Sequence, residues 1–473
     1  MKTIPVRRSQ ALDRRTFFRT ALAGAAGAAV APELARASEA GVASRADHLL
    51  EAARELPLRN DADVIVCGAG PAGCAAALAA ARAGARTRLF ELHGCLGGVW
   101  TAGLLTYIFD FDKPGLAREL ARELDARGAR RQKNPSRFVY EPEAMKLLLE
   151  ELCGAAGVQV QLQPQVVAAQ CDGRRLTTVI TESKSGREAW RAPVFIDATG
   201  DGDLGAQAGC GWDFGAGHDG ASQPLTLNAL AVVRDVEALG EYISFFKSDA
   251  RHIPAVEAFK GELRRAGLET SYGHPTLFHV RDNLVLVMIN HEYGVKPFDA
   301  AQMTAATLHA RAEVHRVVRG LGALGGPWAG MQVVATAEQI GVRDGRRIHG
   351  RYTVTREDLI AGARHPDAVA RVTFGADIHA ASQEKNRTET ISHGGFKTKP
   401  YDIPLRALLA KEVDGLLLAG RCISGDFTAH ASYRVTGNSV ALGEAAGQVA
   451  ALAAKTHRLP HAVAWSEIAP PHS

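Results

Sequence analysis

One stretch constrains the fold of this chain more than any other: residues 63–91, DVIVCGAGPAGCAAALAAARAGARTRLFE. A short apolar run, typical of a buried parallel strand, precedes Gly68, Gly70 and Gly73 in GxGxxG spacing, and an Ala-rich helical segment follows. In this order the glycines allow a tight turn, close approach of the backbone to a pyrophosphate, and close packing of helix against strand. A second apolar run ends on Glu91, where a carboxylate can accept a ribose hydroxyl. The stretch therefore predicts a dinucleotide site; the alternative is a glycine-rich turn in another α/β fold.

The composition is that of a folded protein with room for two lobes. The chain has 473 residues, of which 46% are hydrophobic and 22% charged, and a formal net charge of +4. Much of the basic charge lies near the N-terminus, so nucleic-acid binding is not indicated. Its seven cysteines show no CxxC spacing, which gives no support to a zinc, iron–sulfur or dithiol site. Asp201 and Asp203 more simply cap a helix than bind a metal, so we predict no metal site.

The first 37 residues have the pattern of an export signal. Arg14 and Arg15 are followed by two phenylalanines and a weakly apolar run, and Ala35-Arg36-Ala37 forms an AxA cleavage pattern. This pattern resembles a twin-arginine signal, so we expect cleavage after Ala37 and export of the folded protein to the bacterial periplasm or outside the cell. The apolar run is too short to span a bilayer, which indicates no permanent membrane anchor. The alternative is a disordered basic tail.

The rest of the chain divides according to where the dinucleotide pattern appears. Residues 38–60 are expected to form a helical connector. Residues 61–212 together with residues 401–456 are predicted to form a discontinuous dinucleotide-binding domain. Residues 213–400 lack the pattern and are predicted to form an inserted substrate or cap domain. Residues 457–473 are a Pro-rich tail.

Three later segments point to the same dinucleotide site. A second glycine turn at residues 97–101 would pass the pyrophosphate and the ring system of a flavin. The buried strand at 194–198 leads into the turn Thr199-Gly200-Asp201, which would pass the adenine–ribose end. A last buried strand turns at Gly420-Arg421 and leads into a long small-residue helix that begins at Gly437. The N-terminus of that helix would stabilise negative charge on a reduced flavin.

Three separated motifs together resemble those of FAD-dependent oxidoreductases with the glutathione-reductase-type FAD fold. They are GAGPAG at 68–73, DATGDGD at 197–203 and LLLAGRCISG at 416–425. The branch that carries LGGxxT, ATGDGD, GVRxxRR and AGRCIS is the most similar. The resemblance implies an α/β fold, with a three-layer Rossmann-like FAD domain and an inserted mixed α+β substrate domain. The FAD contacts it implies are Gly68, Gly70, Pro71, Ala72, Gly73, Glu91, Gly97, Gly98, Thr101, Val166, Thr199, Gly200, Asp201, Gly420, Arg421, Gly437 and Asn438.

The resemblance also places catalytic candidates beside the flavin. His430 and Arg434 lie in TAHASYR, just after the AGR turn. An imidazole exchanges a proton near neutral pH, so His430 is the expected acid or base, and Arg434 would hold an anionic or carbonyl oxygen. The alternative is that both residues only brace the loop. His379 and His393, in the predicted second lobe, are further candidates.

The function implied by these features is oxidation of a small polar organic substrate by hydride transfer to flavin N5. Electrons would then leave through a quinone, a cytochrome or oxygen, because the chain shows no second nucleotide fold for NAD(P)H. One alternative is a fumarate-reductase-like reduction of an activated double bond, with Arg343, Arg347 and Arg434 clamping carboxylates. The other is a non-catalytic FAD electron carrier. A homo-oligomer is compatible with the sequence.

Overall fold

The computed structural model describes residues 49, 51–132, 134–217, 220–248 and 250–468. The predicted export signal at 1–37 lies outside the described residues. Within the predicted helical connector, residues 51–57 have no regular secondary structure and Leu58–Arg59 is a strand, so the prediction of a helix is wrong there. The strand is held by parallel pairing with Ala189 and Trp190, which keeps this segment extended.

By compactness the chain divides into Met1–Glu55 and Leu56–Ser473, and the second unit contains all the described helices and strands. The α-helices of the described residues are α1 Pro71–Arg82, α2 Leu116–Ala126, α3 Pro142–Ala155, α4 Asp203–Gln207, α5 Ile253–Arg265, α6 Ala300–Ala323, α7 Arg356–Ala361, α8 Gln383–Thr388, α9 Phe427–Tyr433 and α10 Thr436–Lys455. The strands are β1 Leu58–Arg59, β2 Val64–Cys67, β3 Thr87–Glu91, β4 Tyr107–Ile108, β5 Arg130–Arg131, β6 Phe138–Tyr140, β7 Gln159–Leu162, β8 Gln165–Asp172, β9 Arg175–Ser183, β10 Gly186–Arg191, β11 Val194–Asp197, β12 Trp212–Asp213, β13 Ala229–Val232, β14 Thr276–Arg281, β15 Leu284–Met288, β16 Gln332–Thr336, β17 Arg347–Ile348, β18 Ala368–Val372, β19 Ile378–His379, β20 Ile391–Ser392, β21 Tyr401–Pro404 and β22 Leu416–Leu418. Within the part of the chain that is described, no helix is long and apolar enough to cross a membrane.

A five-stranded parallel sheet with the order β22-β11-β2-β3-β7 forms the centre of the molecule's nucleotide-binding half. Helices α1 and α10 cover it and pack backbone to backbone. A Cβ on Gly443 would lie 2.0 Å from the carbonyl oxygen of Ala72, and one on Gly447 would lie 2.2 Å from that of Ala76. The small residues of α10 are therefore a packing requirement.

The sheet β1-β10-β9-β8, antiparallel except for the parallel pairing of β1 with β10, forms a third layer next to the parallel one. Its Trp190 packs edge-on against Phe90 of β3, with ring centroids 5.2 Å apart. Helices, parallel sheet and antiparallel sheet together make the three-layer, Rossmann-like α/β fold that the sequence predicts, and they confirm that fold class.

The chain segment between β12 and β17 contains another sheet, which is antiparallel and has the order β14-β15-β13-β16. Helices α5 and α6 contribute to a buried cluster with this sheet, in which Trp328 stacks on Phe259 at 5.6 Å. Another buried cluster of this sheet includes Tyr107 of β4 and Phe278 of β14. The inserted segment is therefore mixed α and β, as predicted.

The carboxyl ends of β2, β11 and β22 meet at one edge of the parallel sheet. The backbone N–H of Ala198 donates to the carbonyl of Cys67 at 2.8 Å, and that of Ala419 donates to Asp197 at 2.9 Å. The turns that follow the three strands are thus neighbours, although they are far apart in sequence. Ligands of open α/β sheets bind at this edge. At the other end of the chain, Pro460 and Val463 are buried, so the first part of the predicted tail packs on the domain.

Candidate active site

The first glycine turn is crowded at two of its glycines and open at the third. A Cβ on Gly68 would lie 2.4 Å from the carbonyl oxygen of Ala198, and one on Gly73 would lie 1.8 Å from that of Gly68. A Cβ on Gly70 would meet nothing within 4 Å. Gly70 is also the N-cap of α1, and no side chain caps this helix terminus. Gly70 therefore leaves space and free backbone N–H groups for a phosphate, as the sequence predicts.

Glu91 lies at the end of β3 and is 5% exposed. Its Oε2 accepts a hydrogen bond from the N–H of Ala69 at 2.7 Å, and its Oε1 accepts one from His93 at 2.9 Å. Burial raises the pKa of the carboxyl group, while these two backbone N–H groups act to lower it. Each carboxylate oxygen keeps further acceptor capacity, so the predicted ribose contact requires no change in the loop.

The second glycine turn contacts the first. A Cβ on Gly98 would lie 2.9 Å from the Cα of Gly70, so these two turns touch through their backbones. Thr101, predicted as an FAD contact, is 1% exposed and donates its hydroxyl to the carbonyl of Leu96 at 2.5 Å. A Cβ on Gly97 would meet the Thr101 side chain at 2.7 Å. Gly97 and Thr101 thus shape the turn from within, and Gly98 faces the dinucleotide site.

The turn after β11 is held by a buried aspartate. Oδ1 of Asp197 accepts hydrogen bonds from the N–H and the hydroxyl of Thr199, at 3.0 and 2.7 Å. Burial raises the pKa of Asp197 to about 6. Oδ1 of Asp201 pairs with Nη2 of Arg421 at 2.6 Å, and a Cβ on Gly200 would lie 2.8 Å from the same nitrogen. The turns after β11 and β22 are therefore tied together at the predicted FAD contacts.

The expectation that Asp201 and Asp203 cap α4 is wrong. The N-cap is Gly202, without a side-chain cap, and Asp203 instead accepts a hydrogen bond from Arg346 at 2.8 Å. Among the described residues, no group of three or more His, Cys, Asp or Glu side chains is placed to hold a metal ion. Val166 lies in β8 of the antiparallel layer, where its carbonyl accepts a hydrogen bond from Gln207 at 3.0 Å. Its predicted FAD contact stays a prediction.

The N-terminus of α10 carries unpartnered polar atoms. Both side-chain polar atoms of Asn438 and the hydroxyl of Thr436 are buried and have no hydrogen-bond partner among the described residues. Thr436 and Val435 line a cavity. A buried amide without partners is costly, so these groups fit a bound heterocycle that both donates and accepts. Gly437 has a packing role, because a Cβ there would lie 2.1 Å from the carbonyl oxygen of Asp110.

The cavity has a volume of about 390 Å³ and extends from the turn residues to the second sheet. Pro71 and Arg421 line it at the nucleotide side. Most of the other walls are apolar, and its aromatic lining side chains are Tyr107, Phe109, Phe245, His252, Tyr272, Phe278 and Phe374. A small polar set lies at one place in these walls and includes Arg343, Asp377, His379 and Arg434.

His379 is the best placed of the predicted catalytic residues. It is 6% exposed, and its Nε2 lies 3.2 Å from Oδ2 of Asp377. A carboxylate only accepts, so in the neutral ring Nε2 carries the proton and Nδ1 keeps its lone pair. Nδ1 is buried and has no hydrogen-bond partner among the described residues. Burial, and then the charge of Arg343, lower the pKa of His379 to about 4, so the ring is neutral near pH 7.

Two arginines face the same part of the cavity. Nη1 of Arg343 donates to the carbonyl of Pro224 at 2.9 Å and to the hydroxyl of Thr226 at 2.7 Å. Nη2 of Arg434 donates to the backbone carbonyl of Asp377 at 2.9 Å and lies 3.4 Å from Oδ2 of that residue. Burial, and then the charge of Arg434, lower the pKa of Arg343 to about 10. Burial acts to raise the pKa of Asp377, but the neighbouring His379, Arg434 and Arg343 hold it well below its usual range.

The structure places His430 and His393 differently from His379. His430 is fully buried in α9, and neither ring nitrogen has a hydrogen-bond partner among the described residues. Burial, followed by the charge of Arg347, lowers its pKa well below the ordinary value. Nδ1 of His393 lies 2.8 Å from the carbonyl of Ala376. Neither histidine is among the residues that line the cavity, and their catalytic roles stay predictions.

Sequence reasoning missed Tyr272, His291 and Asp377. Tyr272 lines the cavity, and the ring of His291 lies 5.1 Å from that of His379, with a buried Nε2 that has no partner among the described residues. The Asp-x-His spacing of Asp377 and His379 is a signal that was available in the sequence, because such a pair fixes an imidazole tautomer. Tyr272 and His291 follow no motif, and only the sheet brings them here.

Fold and site together define a dinucleotide-binding enzyme with a cavity beside the nucleotide turns. Residues 63–470 match the family model described as FAD dependent oxidoreductase, and the chain belongs to that family. Its cofactor is FAD, which fits the open Gly70 turn and the unpartnered atoms of Asn438.

No curated protein matches the chain. Among solved structures it is similar to a geranylgeranyl bacteriochlorophyll reductase-like protein from Thermoplasma acidophilum, at 15% identity, with 85% of this chain and 80% of that one covered and a TM-score of 0.46. A myxobacterial chondrochloren halogenase is 13% identical, with 85% and 75% covered and a TM-score of 0.44. p-Nitrophenol 4-monooxygenase from Pseudomonas putida is 13% identical, with 62% and 70% covered and a TM-score of 0.39. At these identities the activities of those proteins are not transferred to this chain.

Proposed function

We propose that this FAD-dependent oxidoreductase is a dehydrogenase that oxidises an organic substrate held in the cavity. One observation carries the proposal: a neutral imidazole, His379, has its Nε2 oriented by Asp377 and its Nδ1 unpartnered. Oxidation of a hydroxyl or amine carbon needs a group that takes the proton from the heteroatom while the hydride leaves. When bound, FAD supplies the acceptor for that hydride.

The four residues of the polar set, Arg343, Asp377, His379 and Arg434, then each have a defined task. Nδ1 of His379 takes the substrate proton, and Asp377 holds the tautomer and stabilises the imidazolium that forms. Arg343 and Arg434 bind an oxygen of the substrate and orient it. The apolar walls exclude water, which strengthens these charged contacts.

The walls also narrow the predicted substrate. A sugar or polyol carries hydroxyl groups on every side, and in this cavity most of them would face apolar side chains such as Val99, Met288 and Phe278. Buried polar groups without partners are costly. The cavity therefore favours a substrate with one polar end over the fully polar compounds expected from the sequence.

A different reaction with the opposite electron flow, reduction of an activated double bond in a carboxylate substrate, is the second candidate, and the two arginines favour it. Arg343 and Arg434 offer the guanidinium groups that a carboxylate next to an activated double bond would need. Arg347, the third predicted member of that clamp, is 3% exposed. It donates to Asp344 at 3.0 Å, to Gly425 at 3.0 Å and to Gly215 at 2.9 Å, and it does not line the cavity.

An anaerobic titration of the FAD-loaded protein tests the direction. We expect hydroxy acids or amino acids with an apolar body to bleach the visible flavin band, and sugars to leave it unchanged. His379→Gln should slow this reduction by about 100-fold or more, the usual share of a general base. His315→Gln, on the exposed face of α6 and outside the cavity lining, is the matched control and should reduce at the normal rate. Oxidation of dithionite-reduced enzyme by an unsaturated carboxylate, with no bleaching by any reduced compound, would instead establish the reductase.

Export and electron transfer extend this proposal. An Arg14-Arg15 pair before an apolar run supports twin-arginine export of the folded, FAD-loaded chain to the periplasm or the medium. A quinone, a cytochrome or oxygen would then accept the electrons. Fractionation of cells that express the full chain tests the location. The Arg14→Lys, Arg15→Lys double variant should stay in the cytoplasm with FAD bound, and equal export of this variant contradicts the proposal.

A further inference from the structure

We propose that the cavity binds an aromatic carboxylate, with the carboxylate between Arg343 and Arg434 and the ring against the aromatic walls. This inference rests on the proposed function, because it names the substrate class of the same site. Three features of the cavity support it: an arginine without a carboxylate partner, a set of nearly parallel aromatic rings, and the size of the cavity.

The arginine is the first feature. Arg343 forms no ion pair with any described residue, and the two hydrogen bonds of its Nη1 go to the neutral oxygens of Pro224 and Thr226. Arg434 shares the single carboxylate of Asp377 with His379. A cation inside a protein is costly unless an anion compensates it. The polar part of the cavity thus carries an excess of positive charge that a bound carboxylate would neutralise.

The buried donors of this region agree with that reading. Nε of Arg434, a residue that lines the cavity, is buried and has no hydrogen-bond partner among the described residues. Nε2 of Gln223, which does not line the cavity but contacts Arg434, is likewise unpartnered. Oε1 of Gln223 accepts hydrogen bonds from the N–H of His379 at 3.1 Å and from Arg434 at 3.2 Å, so its amide is fixed in one orientation. Unpartnered buried donors require an acceptor, and a carboxylate has two acceptor oxygens.

The aromatic rings are the second feature. The ring of Tyr107 lies 4.4 Å from that of Phe278, at an interplanar angle of 15°, and 5.3 Å from that of Phe245, at 20°. Phe245 has a φ of +59°, a conformation that bulky side chains rarely adopt, and its ring stacks on His252 at 4.9 Å and 9°. All four rings line the cavity. A planar ring packs on such a surface with more contact than a flexible chain.

The third feature concerns size and the far end of the cavity. Val435 and Thr436 at the N-terminus of α10 also line the cavity of about 390 Å³, so a bound flavin would leave the substrate only part of this volume. A share of this volume restricts the ligand to a small molecule, such as one ring with a short acid chain. Arg137 lies at the aromatic end, with its guanidinium 5.0 Å from the ring centroid of Phe245. Arg137 could bind the carboxylate in place of Arg343 and Arg434. Together with them it could also bind the two ends of a linear dicarboxylate, which is therefore the competing ligand class.

Binding to the oxidised FAD-loaded enzyme tests the proposal without turnover. The probes are 3-phenylpropanoate, its amide 3-phenylpropanamide, the saturated 3-cyclohexylpropanoate, and succinate, with affinity read from calorimetry and from the shift of the flavin band. We expect the carboxylate to bind about tenfold or more tighter than the amide, the usual size of a charge-assisted contact. We also expect 3-cyclohexylpropanoate to bind a few-fold more weakly, because it loses ring stacking.

Three variants then assign the contact. Arg343→Gln and Arg434→Gln should abolish the preference for the acid over the amide, and Arg137→Gln should keep it. Equal affinity of acid and amide for the unchanged enzyme overturns the proposal, whether or not a variant folds. Loss of the preference only in Arg137→Gln, or tighter binding of succinate, also overturns it. Tight binding of 3-phenylpropanoate without flavin reduction by any hydroxy or amino acid derivative would refute the dehydrogenase and leave the ligand class standing.

Discussion

The charge of Arg343 contributes to the low pKa of His379, and the effect of removing this charge should be measurable. Burial is the largest cause of the low pKa of His379, and the positive charge of Arg343 is the next. A nearby cation disfavours the imidazolium, so Arg343→Gln should raise the pKa of His379. Asp377 raises the pKa of His379 and is still present in the variant, so nothing that the substitution removes would lower this pKa.

The structure bounds the size of this rise. The pKa of His379 is about 4, against an ordinary value of 6.5. The interval between them corresponds to ~3 kcal/mol, at about 1.36 kcal/mol per pKa unit. Because burial persists in the variant, the pKa of His379 should rise within this interval and stay below the ordinary value. At pH 5 the ring should then be largely neutral in the parent and more protonated in Arg343→Gln.

The assay is a pH titration of histidine-labelled, FAD-loaded protein by NMR, with the His379 signal assigned from its absence in His379→Gln. Arg137→Gln is the matched control, since it removes another arginine that lines the same cavity but does not act on His379. A pKa that falls or does not change in Arg343→Gln refutes the reasoning. An equal rise in Arg137→Gln would mean that the cavity responds to net charge and not to this one contact.

Three further predictions concern stability and cofactor binding. Gly70→Ala should keep the fold of the apoprotein, because its Cβ meets no protein atom within 4 Å, but it should no longer bind FAD. Gly73→Ala should unfold the protein, because its Cβ would lie 1.8 Å from a carbonyl oxygen. Thermal melts and flavin absorbance compare the two variants. Gly443→Ala should lower the Tm and cost about 1–3 kcal/mol of the free energy of unfolding, because its Cβ prevents the close approach of α10 to α1. Gly154→Ala in α3 is the control: its Cβ meets nothing within 4 Å, so it should not lower the Tm. Because the pKa of His379 is about 4 in the folded protein and 6.5 in the unfolded chain, its neutral ring contributes ~3 kcal/mol to the free energy of unfolding above pH 6.5. This contribution is lost as the pH falls towards 4. Denaturant titrations should therefore show a weaker pH dependence of the free energy of unfolding in His379→Gln than in the parent between pH 6.5 and 4.

The nucleotide half of the fold could be predicted because its rules are local. Each of its three turns follows a short apolar strand, and the parallel pairing of β2, β11 and β22 brings the turns together. Only glycine fits at positions 68 and 73, because a Cβ at either would clash with backbone atoms. These two positions are five residues apart, so the GxGxxG spacing is enough to predict the geometry of the turn. The export signal rests on a local pattern of the same kind, but it lies outside the described residues and stays a prediction.

The catalytic half could not be predicted in the same way, because its geometry depends on contacts between distant segments. Arg343 forms hydrogen bonds with Pro224 and Thr226, which lie more than a hundred residues earlier in the sequence, and no spacing rule predicts these contacts. The sequence favours His430 because it follows the AGR turn. In the structure His430 is fully buried and does not line the cavity, whereas His379, in the short ladder of β19 and β20, does. A catalytic role of His430 stays a prediction.

The same charge that lowers the pKa of His379 also attracts the proposed ligand, and this links binding to proton transfer. A base with a pKa of about 4 is a weak acceptor at neutral pH. A carboxylate between Arg343 and Arg434 would neutralise the cations that hold this pKa down, so the pKa of His379 should rise when the ligand binds. Repeating the NMR titration with 3-phenylpropanoate bound measures the effect directly. A rise with the acid and none with the amide would mean that the cavity activates its base only after the substrate has entered, and that Arg343 serves both steps.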